Sequence, residues 1–217
     1  MIVEARGLRK TYAQGGSSLE VLRGVDLALD RGESLAIVGP SGGGKSTLLS
    51  ILSGIEPPTA GELWVDGQST QDWTQDDWTR VRGESFGIVY QQFHLVPHLT
   101  ALENVHLPLE IAGRTDWDRA RGMLADVGLQ DRAEHRPSEL SGGEIQRVAI
   151  ARALILEPKI ILADEPSGNL DPKTAKVVMD LLFSLAKKHA AALVLVTHNH
   201  DLASRCDRAR TLEAGVL

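Results

Sequence analysis

A glycine-rich loop that contains one lysine is the feature of this sequence whose chemistry is most specific. Residues 39–46 read GPSGGGKS and fit the pattern G-x-x-x-x-G-K-[ST]. Because glycine has no Cβ, the backbone N–H groups of such a loop can turn inward around a polyphosphate. The apolar run 34–38 predicts a buried strand before the loop, and residues 47–52 have helical spacing after it. The start of that helix would direct its positive dipole end at the same anion. This context predicts a site for a nucleoside triphosphate.

Two side chains of this phosphate loop (residues 39–46) have distinct predicted roles. Lys45 would reach the outer phosphates, and the hydroxyl of Ser46 would ligate Mg²⁺. An ordinary glycine-rich turn with a chance lysine is the alternative, and the flanking strand and helix patterns disfavour it. The predicted nucleotide-binding residues in this part of the chain are Gly39, Pro40, Ser41, Gly42, Gly43, Gly44, Lys45, Ser46 and Thr47.

Two adjacent carboxylates, Asp164 and Glu165, follow a second apolar run at residues 160–163. Successive residues of a strand point to opposite sides, so the two acids can have different roles. Asp164 would hold Mg²⁺ through water, and Glu165 would polarise an attacking water. A strand that merely ends in surface acids has the same appearance. The phosphate loop far upstream favours the catalytic interpretation.

A second anion site is predicted where residues 140–147, LSGGEIQR, begin another helix. Ser141 offers a hydroxyl, and Gly142 and Gly143 offer unobstructed N–H groups at the helix start. One nucleotide has little use for two such sites in the same chain. We therefore expect the second site to serve a nucleotide that is bound to another copy of the protein.

The elements that must position these residues follow an α/β pattern. Alternating apolar residues at 2–10 and 19–29 predict strands joined by a polar turn at 14–18, which form an N-terminal antiparallel β part. Residues 92–157 have helical spacing and predict an inserted helical lobe. Strands and helices alternate after the lobe, which predicts a mainly parallel sheet covered on both faces. The whole chain, residues 1–217, is expected to form one domain.

Composition restricts the classes of partner. The chain has 217 residues, of which 42% are hydrophobic and 24% charged, as in soluble globular proteins. Its net charge of −6 disfavours nucleic acid as the main partner. The single cysteine, Cys206, cannot form an internal disulfide, which favours a reducing compartment. The N-terminus has no signal-peptide pattern and no apolar run is long enough to span a bilayer, so any role at a membrane is expected to require a partner.

The phosphate loop, the paired carboxylates and residues 140–147 together resemble the ATP-binding subunits of ABC transporters, whose signature is LSGGxxQR. The resemblance covers essentially the whole chain, with the motifs in the order of the family. It implies a P-loop NTPase core, with ATP and Mg²⁺ as ligands and hydrolysis of the ATP. It also implies a homodimer that forms on ATP binding and a separate integral-membrane permease. The expected location is cytoplasmic, peripheral on the cytoplasmic face of the inner membrane, and no nucleic acid partner is expected.

The resemblance assigns roles that spacing alone does not. The position of Tyr12 alone favours an edge-strand tyrosine, but Tyr12 matches the aromatic residue that stacks on adenine. Gln91 matches the glutamine that senses the γ-phosphate and Mg²⁺ and links them to the membrane partner. Asp171 ends the SGNLD loop, residues 167–171, which crosses the dimer interface in the family, and His198 matches the histidine that contacts the γ-phosphate. The predicted catalytic residues are Glu165, His198, Gln91 and Lys45, the predicted metal ligands are Ser46, Gln91 and Asp164, and the further predicted nucleotide contacts are Tyr12, Ser141, Gly142, Gly143 and Asp171.

Within the family, the stretch YQQFHLVPHLTALENV at residues 90–105 and the SGNLD loop are most similar to the lipoprotein-releasing and macrolide-efflux ATPases. Export, lipid or lipoprotein extraction, or transmission of force is the implied work. The apolar helical stripe at residues 102–111 and the apolar residues beside Gln91 are expected to frame a groove for a partner helix. Core packing is expected to take most of the stripe, which leaves Phe93, Leu95 and Pro97 as the exposed part. Ile145, Ser167 and Asn199 replace the usual glutamine, threonine and aspartate at positions that need no charge for hydrolysis.

Two other classes of function share these motifs. An ATPase subunit of a small-solute importer would have the same nucleotide site and differ in its permease. A soluble DNA-repair or ribosome-associated ABC ATPase would add a long coiled coil or a second cassette, and this chain has neither pattern. The sequence leaves the transported substrate and the direction of transport open.

Overall fold

The chain begins with two long antiparallel strands, β1 (Val3–Gln14) and β2 (Ser17–Leu29). The computed structural model describes residues 1–14 and 17–217. The centre of the turn predicted at 14–18 therefore lies outside the described residues. Both strands are longer than alternation predicts, because their backbone pairing continues through the polar residues next to the turn.

Two short strands complete an antiparallel sheet of order β2-β1-β4-β5. β4 (Ala60–Val65) pairs with β1, and β5 (Gln68–Ser69) pairs with β4. The predicted N-terminal antiparallel part is confirmed. A third strand in chain order, β3 (Ser34–Val38), separates β2 from β4 in the sequence and belongs to another sheet.

The second sheet is parallel and has the order β6-β7-β8-β3-β9. Its remaining strands are β6 (Phe86–Val89), β7 (Ile160–Asp164), β8 (Ala192–Val196) and β9 (Arg208–Thr211). The central strands read as near-continuous apolar runs because both faces of a parallel sheet are covered. This confirms the predicted mainly parallel sheet.

Seven α-helices are present within residues 1–14 and 17–217 as described. They are α1 (Lys45–Leu52), α2 (Gln75–Ser85), α3 (Ala101–Ile111), α4 (Trp117–Asp126), α5 (Gly142–Leu154), α6 (Pro172–Lys188) and α7 (His200–Ala203). In the part of the chain that is described, none of them is both long and apolar enough to cross a membrane.

The core lies on both faces of the parallel sheet, and neighbouring residues of one strand serve opposite faces. Leu162 packs with α1 and the antiparallel sheet, whereas Ile161 packs with α5 and α6. The apolar cluster on the α5 side also contains the buried residues of α3 and α4. The helical lobe thus shares its core with the sheet, and its limits at residues 92 and 157 stay a prediction.

Local hydrogen bonds set the limits of several elements. Thr74 and Asp77 form a capping box that starts α2. Thr100 and Glu103 form a second capping box at the start of α3. The last strand, β9, has exposed residues with no apolar pattern, and its pairing with β3 sets its limits. The short helix α7 has no counterpart in the sequence prediction.

A buried histidine lies between α3 and α4. The side chain of His106 is 2% exposed, and its ring stacks on Trp117 with the ring centroids 3.7 Å apart and the planes 8° apart. Within the described residues, neither ring nitrogen of His106 has a hydrogen-bond partner. Burying polar atoms without partners costs free energy.

We expect His106→Phe to raise the free energy of unfolding by about 1 kcal/mol, because it keeps a stacking ring and removes two unpaired polar atoms. Urea unfolding followed by circular dichroism measures the change. His98→Phe is the control, since His98 is exposed and its replacement should change the free energy by less than about 0.5 kcal/mol. A destabilised His106→Phe protein would show that the histidine nitrogens are satisfied in solution.

Candidate active site

The predicted catalytic residues follow neighbouring strands of the parallel sheet. The phosphate loop follows β3, Gln91 follows β6, Glu165 follows β7 and His198 follows β8. These four strands are adjacent in the order β6-β7-β8-β3, and their ends are in register. Because carboxyl ends of parallel strands meet at one edge of a sheet, these residues converge there, where ligands of α/β folds bind.

Close backbone approaches shape the phosphate loop. A Cβ on Gly39 would overlap the carbonyl oxygen of Leu212, which follows β9. Gly44 is the N-cap of α1, has a left-handed φ of 94°, and leaves 3.1 Å between a built Cβ and Val21 of β2. Both positions therefore require glycine, and the loop is held between β2 and the segment after β9.

The ammonium group of Lys45 is folded over the loop. Its Nζ donates to the carbonyls of Gly39 and Pro40, both at 2.9 Å, and the residue is 7% exposed. Within the described residues no carboxylate forms a salt bridge with it. A lysine has three donors, so a buried cation with a remaining donor lies where the phosphates of a nucleotide are expected.

Asp164 and Ser46 meet beside the phosphate loop. Burial raises the pKa of the Asp164 carboxyl, a hydrogen bond from the Ser46 side chain opposes the rise, and the neighbouring charge of Glu165 adds to it. A cation beside this carboxylate would offset the cost of its burial.

The donors of this site suit one metal in particular. No group of three or more His, Cys, Asp or Glu side chains forms a metal cage within the part of the chain that the structure describes. A metal at Ser46 and Asp164 would therefore need oxygens from water or from a bound phosphate. Mg²⁺ is commonly held in that way, so the residues fit Mg²⁺, and their role as ligands together with Gln91 stays a prediction.

Glu165 and His198 form a pair. The Nδ1 atom of His198 lies 2.8 Å from Oε2 of Glu165, with the histidine side chain 70% exposed and the glutamate side chain 15% exposed. Glu165 has a left-handed φ of 46°, and its N–H donates to the carbonyl of Val196. This turn carries the carboxylate beyond the strand end, and His198 holds it there.

Gln91 is joined to the SGNLD loop (residues 167–171). Its side-chain amide donates to Oδ1 of Asn169 at 3.4 Å, and Nδ2 of Asn169 donates to the carbonyl of Gln91 at 3.0 Å. The sequence patterns assign no function to Asn169, although Asn169 belongs to the SGNLD loop. The predicted contacts of Gln91 with Mg²⁺ and phosphate stay predictions.

Tyr12 lies beside the start of α1. Its hydroxyl donates to the carboxylate of Glu56, and Thr47 also forms a hydrogen bond with it. Burial and the bond to Glu56 raise the pKa of Tyr12. The ammonium group of Lys10 lies 5.1 Å from the ring centroid, so a base would stack on the opposite ring face. No sequence pattern identifies Glu56 as a partner of Tyr12, because Glu56 lies in a proline-rich turn.

The signature loop (Ser141, Gly142 and Gly143) starts α5. Oγ of Ser141 donates to Oε2 of Glu144 at 2.6 Å, and its N–H donates to the same oxygen at 2.8 Å. These hydrogen bonds lower the pKa of Glu144 to about 2. The hydroxyl that is predicted to bind phosphate is therefore occupied by a carboxylate of its own helix.

The surroundings of the signature loop differ from those of the phosphate loop. A Cβ on Gly143 would overlap the side chain of Thr174 in α6, and one on Gly142 would lie 3.4 Å from Leu170. The phosphate loop is instead held by β2 and the segment after β9. The carboxylate of Asp171 caps α6 by accepting the N–H groups of Lys173 and Thr174, both at 3.1 Å, and its nucleotide contact stays a prediction.

Comparison with known proteins extends these observations to the whole chain. A family model described as ABC transporter matches residues 22–168. The lipoprotein-releasing system ATP-binding protein LolD of Legionella pneumophila (strain Lens) is 48% identical over 220 residues, which cover 100% of this chain and 97% of that protein. The LolD protein of Syntrophus aciditrophicus (strain SB) is 45% identical over 217 residues, which cover 99% and 97%.

A solved structure has the same fold. It is a dimeric structure of a post-hydrolysis state of the ATP-binding cassette MJ0796 bound to ADP and Pi. The TM-score is 0.91 and the sequence identity 41%, with 99% of this chain and 96% of that chain covered.

Proposed function

Since the chain belongs to the ABC transporter family and is an ATPase of that family, we propose that it is the ATP-driven subunit of a lipoprotein-releasing system. In this role it pairs with a second copy and drives a separate membrane permease. One observation carries the proposal: the chain has two glycine-rich helix starts, the phosphate loop and the signature loop, whose neighbours differ, and a helix start of this kind suits an anion. The lipoprotein substrate rests on the LolD relatives, of which the match covers 97% of the length.

The two helix starts account for the pairing. A nucleotide held by the phosphate loop leaves the signature loop of its own chain free to bind an anion. In a two-fold dimer, the signature loop of each copy would reach the γ-phosphate on the other copy. The Ser141 hydroxyl would then exchange its bond with Glu144 for one with phosphate. ATP would favour the closed pair, and its hydrolysis would favour separation.

The residues at the sheet edge divide the chemical work. Lys45 and the loop N–H groups would bind the phosphates, and Ser46, Asp164 and Gln91 would hold Mg²⁺. When bound, Mg²⁺ neutralises charge that develops on the phosphate oxygens. Glu165 accepts a proton from the attacking water, while the hydrogen bond from His198 orients its carboxylate. Tyr12 positions the adenine by stacking.

A groove beside α3 is the proposed contact with the permease. It is a cavity of about 600 Å³ between α2 and α3. Ile111 at its rim is 79% exposed. Of the three residues expected to be exposed, Pro97 is exposed, whereas Phe93 and Leu95 are half-buried and Leu95 packs against the core. We therefore propose the groove at the end of α3, around Ile111, and not beside Phe93 and Leu95. This docking groove is lined by Thr79, Arg80, Gly83, Glu84, Leu107, Pro108, Ile111, Ala112, Arg114, Arg152 and Leu156.

The lining of the docking groove suggests the chemistry of its occupant. Its aliphatic lining residues include Leu107, Ile111 and Leu156. Among its charged lining residues, three arginines outnumber one glutamate. An amphipathic helix with an apolar face and an acidic residue would complement it. A cytoplasmic helix of a membrane permease fits this description. It would place the chain in the cytoplasm, at the inner face of the membrane.

The test uses the complex of this chain with its co-purifying membrane protein in proteoliposomes that carry a lipoprotein. We expect ATP-dependent lipoprotein release with the wild-type chain. Ile111→Glu should abolish binding to the membrane protein and release, because it places a charge on the apolar rim of the docking groove. The ATPase activity of the isolated Ile111→Glu chain should stay within about twofold of wild type, since Ile111 is outside the nucleotide site.

Val216→Glu is the matched control, because Val216 is also an exposed aliphatic residue and lies outside the docking groove. This variant should bind and release normally. Release by the Ile111→Glu complex at the wild-type rate would exclude the docking groove. ATP turnover that responds to a solute-binding protein and not to lipoprotein would instead assign the chain to the importers.

A further inference from the structure

Arg152, near the end of α5, connects two regions that the proposed function uses. One terminal nitrogen of its guanidinium donates to the carbonyl of His94 at 2.6 Å, and the other donates to the carbonyl of Phe93 at 2.9 Å. Burial lowers the pKa of this guanidinium. Among the described residues, no carboxylate lies within salt-bridge distance of it, so these two carbonyls are its main partners.

The two carbonyls belong to an unusual stretch of backbone. Phe93 and His94 have left-handed φ values of 60° and 49°, and such a conformation costs a residue with a side chain of order 1 kcal/mol or more. The ring of His94 also packs edge-on against Tyr90, with centroids 4.8 Å apart. Gln91 lies between Tyr90 and His94 in the chain. The hydrogen bonds that Arg152 donates to Phe93 and His94 therefore help to set the position of Gln91.

The same arginine lines the docking groove together with Leu107, Ile111 and Leu156. A guanidinium has five N–H donors in a rigid fork, and the two carbonyls take only part of them. An occupant that offers an acceptor or fills the groove therefore meets the side chain that holds Phe93 and His94. This places one side chain against both the groove and the backbone after Gln91.

We propose that Arg152 is a positioning residue that transmits occupancy of the docking groove to Gln91 by holding the backbone of Phe93 and His94. The inference rests on the proposed function, since it gives the docking groove a route to the nucleotide site. Arginine suits the task because its fork spans two adjacent carbonyls. The ammonium group of a lysine is a single donor centre, so it would hold the two carbonyls of Phe93 and His94 less rigidly.

The first experiment measures amide hydrogen exchange at residues 92–95 of the isolated protein. Arg152→Lys should speed exchange there roughly tenfold, because the hydrogen bonds that order this backbone are weakened. The Mg²⁺ concentration for half-maximal ATPase activity should also rise roughly tenfold, as for partners of metal ligands. Arg119→Lys is the control, since Arg119 donates to the carbonyl of Ile155 at 2.8 Å in the same lobe and should change neither value.

The second experiment fills the docking groove without a membrane protein. Gly83 lines the groove, and a Cβ there would have no atom within 4 Å, so Gly83→Cys in a Cys206→Ser background provides a labelling site. N-(1-pyrenyl)maleimide on this cysteine should change exchange at residues 92–95 at least about threefold when Arg152 is present. The label should have no effect on exchange in the Arg152→Lys background.

Each outcome decides the inference. Unchanged exchange on labelling of the Arg152 protein overturns it, and this arm needs no variant at position 152 that might misfold. An equal effect of the label in both backgrounds also overturns it. Neither measurement uses the permease, so a failure here leaves the proposed function standing. Conversely, lipoprotein release by Ile111→Glu would overturn the docking groove and leave the measured link between Arg152 and residues 92–95 intact.

Discussion

Replacing Glu165 by glutamine is expected to lower ATP turnover by roughly 10²-fold or more while ATP still binds. The carboxylate is 15% exposed and is held 2.8 Å from Nδ1 of His198 at the edge of the parallel sheet. Glutamine keeps the size of the side chain and an oxygen that accepts from His198. It lacks a group that takes a proton from water, so only the chemical step should be lost.

Two measurements distinguish this loss from a folding defect. ATPase assays give the turnover, and size-exclusion chromatography with ATP should show the Glu165→Gln chain accumulating as an ATP-bound dimer. Glu62→Gln serves as the control at an exposed glutamate of β4, which belongs to the antiparallel sheet, and should retain wild-type turnover. Wild-type turnover in Glu165→Gln, with only monomer present in ATP, would show that Glu165 is not the base.

A mixture of two inactive variants, Lys45→Ala and Ser141→Arg, is expected to recover ATPase activity that neither variant has alone. Lys45→Ala removes the buried cation of the phosphate loop, and Ser141→Arg blocks the signature loop at the start of α5. In a mixed dimer, one shared site would contain both defects and the other neither. Random pairing of equal amounts would make half of the dimers mixed and give roughly a quarter of wild-type activity.

The mixture needs two checks. Differently tagged chains must co-purify in ATP, which shows that mixed dimers form, and two portions of the same variant combined must stay inactive. Absence of recovery in a mixture with proven mixed dimers would count against shared sites that work independently. Full activity of Ser141→Arg as a monomer would exclude the shared site outright.

The chemistry of the sheet edge was readable in the sequence because it depends on local patterns. A strand, a glycine loop and a helix start follow one another at residues 34–52, so the cradle for phosphate is built from neighbours in the chain. Asp164 and Glu165 likewise follow their strand directly. The rules of parallel sheets then bring strand ends together, which is how the order β6-β7-β8-β3 places Gln91, Glu165 and His198 at one edge.

Contacts between distant parts of the chain were not readable in this way. The sequence indicated exposed apolar residues at Phe93, Leu95 and Pro97. Pro97 is exposed, but packing buries most of Phe93 and Leu95 and leaves Ile111 on the rim of the docking groove. The apolar stripe of α3 predicts a buried face. It does not say which end of that stripe the neighbouring helices cover.

What the sequence determined by itself is the phosphate loop, the carboxylates after β7 and the α/β order of elements, since each follows from residues adjacent in the chain. Tertiary structure alone decided that Tyr12 meets Glu56, that Gln91 meets Asn169 and that Arg152 holds Phe93 and His94. These partners come from separate elements, and their side chains meet only after the helices have packed on the sheet. Their geometry depends on how the shared core fills space, which no local pattern of residues encodes.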